Sequence, residues 1–269
     1  RRYLFFRPTW RQPTTDRAGG SRDSRGADYQ YVMRAKLSQL ADAIRLEHPK
    51  AKLEIYVDTC PLPERKLAVL AGIAWRGKNG NVFVEGCGSW ATLGEVVTNI
   101  EMPIAEPLSI DRCGDCELCL HACPTRSITE PYRVDTPRCV SQLTQMSGSV
   151  PRDLRRAIGG RIYGCDTCQE VCPQNAEIEP ITPEFAVDTR LALDLPDLIK
   201  LDKANFNKHI RRGPIGWLRR TRIRRNAAIA AGNLKCQEAV PALTDMLQDE
   251  NPVLISHAAW ALEEIGLES

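Results

Sequence analysis

Eight cysteines in two short runs and one single position constrain this chain more than any other feature of its sequence. The first run is Cys113-x2-Cys116-x2-Cys119-x3-Cys123-Pro124, and the second is Cys165-x2-Cys168-x3-Cys172-Pro173. Three thiolates at this spacing wrap one corner of a cuboidal iron–sulfur cluster, while the fourth, before proline, points away to a second cluster. The second run lacks its first position, where Ile162 stands, and Cys139 is the only cysteine between the runs that can replace it. The crossover predicts one [4Fe–4S] cluster on Cys113, Cys116, Cys119 and Cys172, and another on Cys123, Cys139, Cys165 and Cys168. A pair of zinc sites is the rival, since CxxC pairs also suit tetrahedral zinc. Zinc, however, has little use for three cysteines in a row followed by Cys-Pro.

The count of eleven cysteines is odd, which leaves Cys60, Cys87 and Cys236 as buried or incidental thiols. Thiols crowded in this way in a mid-sized chain argue against a secreted disulfide framework and for a reducing compartment, the cytoplasm. No apolar run approaches the ~18 residues of a membrane span. Nor does a long apolar stripe ask for a second copy, so a monomer is expected. Two clusters make a wire for electrons, and their destination has to be sought in the rest of the chain.

That remainder divides into three parts, 1–105, 106–178 and 179–269, in an α+β multidomain chain. It opens at Arg1 and runs at once into Tyr3-Leu4-Phe5-Phe6, which reads as a strand cut from something longer. Met33, Leu37, Leu40, Ala41 and Ile44 fall on one helical face ending before Pro49, and Leu53, Ile55 and Val57 alternate as a strand. A second helix is predicted from Pro61 to Leu70 closed by Gly72, a strand at Val82 and Val84, and a third helix from Trp90 to Ile100. A glycine-containing loop, Arg76 to Gly80, lies near the centre of this α/β layer. The segment 177–202 is acidic and broken by proline, like a connection. In the tail, Asn226-Ala227-Ala228 is echoed 31 residues later by His257-Ala258-Ala259, with an amphipathic helix from Ala239 to Leu247 between them. Helices at this period predict HEAT-like units.

Charge is unevenly spread. The net charge is only +2, yet Lys203 to Gln237 holds ten Lys or Arg and no acidic residue, leaving 26 basic against 34 acidic elsewhere. A charge run is usually a solvated face. Ten cations beside a helical scaffold point instead to nucleic acid. Lys208, His209, Arg211, Arg212, Arg219, Arg220, Arg222, Arg224 and Arg225 surround Trp217, which offers phosphate contacts and one stacking surface.

Five stretches in order carry a family resemblance. They are Val57-Asp58-Thr59-x-Pro61-x-x-Glu64-Arg65, Ala71-Gly72-x-x-Trp75-x-Gly77-Lys78-Asn79, Gly88-Ser89-Trp90-x-x-Leu93-Gly94-Glu95, Arg138-Cys139-x-Ser141-x-Leu143-Thr144 and Tyr163-Gly164-Cys165-Asp166-Thr167-Cys168-Gln169. From about Ser21 onward the chain resembles the epoxyqueuosine reductases, cobalamin-dependent enzymes that complete queuosine in tRNA. The resemblance implies that 1–105 is part of a nitroreductase-like, corrinoid-binding α/β domain, similar to that of reductive dehalogenases. It also implies a ferredoxin-like domain at 106–178 and a HEAT-like, tRNA-binding domain at 179–269. The family has a further stretch ahead of the point where this chain begins, part of which frames the cofactor site.

The chemistry implied is the reduction of the epoxide of epoxyqueuosine at the wobble position. An external flavodoxin- or ferredoxin-type donor feeds the clusters, which pass electrons singly to cobalamin (cob(II)alamin at rest) until Co(I) forms. Co(I) attacks an epoxide carbon, an acid protonates the oxirane oxygen, and loss of water gives the cyclopentene. Asp58 occupies the proton donor's position, and burial against a corrin ring would favour its protonated form. The plainer reading of Asp58 and Thr59 is as caps of the helix starting at Pro61. Cobalamin contacts carry over to Ser21, Asp58, Val82, Val84, Leu93, Ser141, Met146, Cys165 and Asp166, with core packing the alternative for Val82, Val84 and Leu93. Cys60 stands where the family has glycine or alanine. Rival readings are a corrinoid-free electron carrier, a tRNA-binding module without catalysis and, least able to explain the tail, a reductive dehalogenase.

Overall fold

The structure, a computed structural model, describes residues 19–24, 26–59, 61–108, 110–178, 182–185 and 194–266. The strand expected at Tyr3 to Phe6 and the thiol of Cys60 lie outside them. The first part contains strand β1 (Gly19–Gly20), helix α1 (Tyr29–Glu47), β2 (Leu53–Tyr56), α2 (Glu64–Leu70), β3 (Ala74–Arg76), β4 (Val82–Val84) and β5 (Glu95–Thr98). Helix α1 starts where the Asp28 carboxylate accepts the Gln30 N–H at 2.9 Å, and its apolar face buries Met33, Leu37 and Ala41, as the periodicity predicts. Strands β2 and β5 pair antiparallel, as do β3 and β4, where Trp75 stacks on Phe83 with centroids 4.5 Å apart.

Two expectations fail here. Helix α2 begins at Glu64 with Pro63 at its cap position and no side-chain cap, so neither Asp58 nor Thr59 caps it. The helix expected from Trp90 to Ile100 is absent. Residues 88–93 form a loop pinned by Asn175, whose side-chain carbonyl accepts the Ser89 N–H at 2.9 Å and whose amide donates to Ser89 Oγ at 2.8 Å. Strand β5 follows. Bonds to a residue 86 positions away have overridden local helical preference.

The cysteine-bearing part holds α3 (Leu118–Ala122), the hairpin β6 (Ile128–Glu130) and β7 (Arg133–Val134), α4 (Val140–Gln145), α5 (Arg152–Ile158), β8 (Arg161–Tyr163) and α6 (Thr167–Glu170). Strand β8 pairs in parallel with β1 and so brings Ser21 beside Tyr163. Gly164, at φ 65°, permits this approach, because a Cβ there would collide with the Ser21 side chain.

Helices α7 (Leu195–Ile199), α8 (Lys203–Asn205), α9 (Arg220–Asn233), α10 (Val240–Met246) and α11 (Pro252–Ile265) complete the fold. Asn251 caps α11 by accepting the Val253 N–H, with Pro252 in the first turn and left-handed Gly266 ending it. The two echoed alanine-rich segments lie on α9 and α11, which pack together around Ala227, Ala230, Ala258 and Trp260. Leu143, Leu154, Ile158 and Ile162 belong to the same core as Leu198, Ile223, Leu243 and Leu254. Packing therefore runs without a break across the expected boundary at 178/179. Among the described residues no helix is long and apolar enough to cross a membrane.

Candidate active site

The glycine loop between β3 and β4 clasps the cysteine-bearing part. The Lys78 N–H points at Cys113 Sγ from 3.5 Å, its Nζ donates to the Gly114 carbonyl at 2.5 Å, and Asn79 donates to the Cys168 carbonyl at 3.3 Å. All eight predicted ligand cysteines are free thiols and half-buried. Burial raises the Cys119 thiol, and the charges of Cys113 and Cys172 raise it further. Cys172 is also raised, by burial first and with contributions from Cys113 and Cys116. Cys168 is driven well above the ordinary thiol range by burial, then by Cys165 and Cys139, then by Cys119 and Cys123. Cys113, Cys116, Cys119 and Cys172 thus act on one another, and Cys168 feels Cys165, Cys139, Cys123 and also Cys119.

Such crowding is unfavourable for bare thiolates and suits a positively charged inorganic core. Cys123 is the most solvated by donors: the Ser127 N–H lies 3.2 Å from its sulfur, and the hydroxyls of Ser127 and Thr125 lie at 3.1 and 3.8 Å. These donors outweigh burial and lower its thiol. Cys87 is buried in the first part's core and Cys236 half-buried against the tail core, as expected of incidental thiols.

A cavity of about 530 Å³ opens between the first part and the cysteine-bearing part. Ser21, Asp58, Val82, Leu93, Ser141, Cys165 and Asp166 line it, seven of the nine positions expected to touch cobalamin. Val84 and Met146 do not. Val84 is closed off beneath the turn bonded to Gly88 and packs with Ala68 and Cys87. Helix α4 presents Ser141, Gln142 and Gln145 to the cavity, which turns Met146 toward the tail core. Cys139, Cys165 and Cys168 line the cavity, whereas Cys113, Cys116, Cys119 and Cys172 do not. Thr92 Oγ1 is a buried hydroxyl without a partner at its wall. A lining that mixes polar and apolar side chains, with an orphaned hydroxyl among them, fits a large ligand with amide edges and an apolar ring.

Asp58 sits on the cavity rim at φ 59°, a left-handed conformation seldom adopted by residues other than glycine. Its carboxylate is exposed; it accepts from Gln30 Nε2 at 3.2 Å and lies within hydrogen-bond reach of the Tyr29 hydroxyl. Also lining the cavity, the half-buried carboxyl of Asp166 is pushed up to about 6 by burial, despite accepting the Arg22 N–H at 2.7 Å. The Arg22 guanidinium lies 3.7 Å over the Trp90 ring. Arg22, Tyr29, Trp90, Gln142 and Gln145 went unnoticed in the sequence. Only Trp90 lay in a quoted motif.

The basic stretch separates into two groups. Lys208, Arg211, Arg212, Arg219 and Arg220 are exposed, with His209 and Arg222 partly so. Arg225 is 1% exposed and is no surface residue. Its guanidinium donates to the carbonyls of Leu143, Thr144, Met146 and Gly148 at 2.6–3.3 Å and to Asn226 Oδ1. Arg224 is likewise committed, to Asp249 at 2.8 Å and to the Ile199 carbonyl. A run of like charges carries no information about which members a helix turns inward.

Fold and site together define an iron–sulfur protein with a ligand cavity beside its cysteines and a helical-repeat tail. Residues 112–175 match the 4Fe-4S double cluster binding domain, and residues 219–269 match HEAT repeats. The chain is 37% identical to the epoxyqueuosine reductase of Shigella dysenteriae serotype 1, covering 91% of this chain and 65% of that protein. It is also 37% identical to that of Xanthomonas campestris pv. campestris, covering 93% of this chain and 72% of the relative. One solved epoxyqueuosine reductase, bound to an epoxyqueuosine-modified tRNA-Tyr stem loop, matches at TM-score 0.91 and 35% identity, over 98% of this chain and 72% of that one. Another, from Bacillus subtilis, has its catalytic aspartate loop swung out of the active site and matches at TM-score 0.90 and 34% identity, with the same coverage. The chain belongs to the epoxyqueuosine reductase family. It spans about two thirds of the length of the relatives it matches.

Proposed function

We propose that this chain reduces the epoxide of epoxyqueuosine in tRNA to the alkene of queuosine, with two [4Fe–4S] clusters and cobalamin as cofactors. The observation that carries the reading is the cavity itself, where Asp58 and three cysteines of the second set open onto one space. Cys123, Cys139, Cys165 and Cys168 would hold the cluster bordering it. Cys113, Cys116, Cys119 and Cys172 would hold the cluster facing an external flavodoxin- or ferredoxin-type donor. Ser21, Val82, Leu93, Ser141, Cys165 and Asp166 would hold cobalamin, which when bound supplies a strongly reducing, nucleophilic centre. Asp58 gives its proton to the oxirane oxygen, with Tyr29 and Gln30 orienting its carboxyl. The exposed cations around Trp217 meet tRNA phosphates, as suits a relative solved with a modified stem loop. Such a reaction belongs in the cytoplasm, on a monomer.

Anaerobic reconstitution with iron, sulfide and cobalamin, followed by desalting, metal analysis and visible and EPR spectra, tests this. About one cobalt per chain, and loss of turnover on epoxyqueuosine tRNA in Asp58→Asn, is the expected result. Iron near eight per chain without cobalt would overturn it in favour of an electron carrier, a reading that leaves the cavity and the basic surface without a purpose.

A further inference from the structure

Two glutamates stand behind the Asp58 loop. Glu64 opens α2, and its Oε1 accepts the Asp58 N–H at 2.7 Å. Glu95 opens β5 opposite Tyr56 of β2, two residues before Asp58. It is 7% exposed, lies within hydrogen-bond reach of Glu64, and its Oε2 is buried without a partner. Two carboxylates in contact, Glu95 buried and Glu64 half-buried at the cavity wall, repel when both are charged, so one proton is shared between them.

The surroundings do not neutralise the pair. Asp58 and Arg65 face Glu64, but the Arg65 guanidinium also reaches to the Gly80 carbonyl at 3.2 Å. Glu95 is influenced by Glu64 alone. From α1, Tyr29 and Gln30 address Asp58 itself, while Met33 and Leu37 approach Gly94 with apolar atoms only. The Tyr56 hydroxyl bonds Glu54.

We propose that Glu64 and Glu95, joined by one shared proton, form the catch that holds Asp58 in its left-handed conformation at the cavity. Both are positioning residues, and their effect on turnover rests on Asp58 being the proton donor; their hold on the loop does not. Burial, then Glu64, pushes the Glu95 carboxyl up to about 7, and Glu64 is raised by its own burial. Above that pH the shared proton is lost, the two charges repel, Glu64 withdraws, and the Asp58 N–H is released.

Hydrogen exchange of the Asp58 amide in the full chain, followed by mass spectrometry from pH 5.5 to 8.5 and corrected for intrinsic exchange, tests the catch. In the wild type, protection should fall by about tenfold per pH unit above the titration of the pair. Glu95→Gln should abolish the step, because its amide donates to Glu64 at every pH. Glu95→Ala should leave the amide unprotected throughout, with the α9 amides as a control for folding. A step persisting in Glu95→Gln, or unchanged protection in Glu95→Ala, would overturn the proposal. On epoxyqueuosine tRNA, kcat rather than KM should carry the wild-type alkaline fall, and Glu95→Gln should lose it. If exchange behaves as expected while Asp58→Asn still turns over, the catch stands and the proton-donor reading falls. If Asp58→Asn is inactive and exchange ignores Glu95, the catch alone falls.

Discussion

The indole of Trp217 meets the ring of Tyr163 edge-on, with centroids 6.2 Å apart, and this contact joins the basic surface to the wall of the cavity. Trp217 keeps 52% of its surface exposed and offers a face for stacking. Trp217→Ala is expected to weaken binding of an epoxyqueuosine stem loop by about 1–3 kcal/mol in a titration at fixed salt, the usual worth of a base–aromatic stack.

The exposed arginines make a different prediction from the buried one. Arg211→Ala or Arg219→Ala should lower the slope of log affinity against log salt by about 0.7–0.9, one released counterion each. Arg225→Met should do nothing to that slope beyond what unfolding causes. It strips a donor from four carbonyls, those of Leu143 and Thr144 buried, and denaturant unfolding should register a loss of roughly 2–4 kcal/mol.

Iron content separates the two sets of cysteines. Cys139→Ser and Cys113→Ser each remove a ligand from a different set, so each variant should retain about half the wild-type iron after anaerobic reconstitution. Only Cys139→Ser should also perturb the cofactor spectrum in the cavity, because Cys139 lines it and Cys113 does not.

His257 is buried on α11, with its Nδ1 2.6 Å from the Val253 carbonyl and its Nε2 accepting the Val150 N–H at 3.2 Å. Burial lowers its pKa from 6.5 to about 4. The folded pKa lies below the unfolded one, so the contribution is full above pH 6.5 and is lost as pH falls through about 4. The loss can reach about 1.4 kcal/mol per pH unit. His257→Gln cannot titrate, and the difference in melting temperature between the two proteins should shrink between pH 6.5 and 4.

Cysteine spacing announced the iron–sulfur part because Cys113, Cys116 and Cys119, like Cys165 and Cys168, are close in the chain, where local geometry brings sulfurs together. Helix α1 was legible for a similar reason: its buried positions repeat at the helical period. Residues 88–93 were not, since Asn175 holds that loop from far along the chain. Glu95 was quoted as part of a motif, yet nothing in a strand reading Glu95-Val96-Val97-Thr98 says that the glutamate turns inward while Val97 faces water. Arg225 was hidden in the same way, among cations that look alike in a sequence and differ only in the side of α9 they occupy.

Helix α4 has Cys139 at one end and, at the other, the carbonyls that Arg225 grips from α9. A nascent chain reaches residue 225 only after every cluster cysteine has been synthesised. Until then α4 is held by α5 and β8, with the Gly164 N–H donating to Thr144 Oγ1 at 2.9 Å, and lacks only the grip on its far carbonyls. The turn that carries Cys139 therefore gains its last support from the tail, and a polypeptide cut before α9 would lose all four carbonyl bonds at and beyond the end of α4.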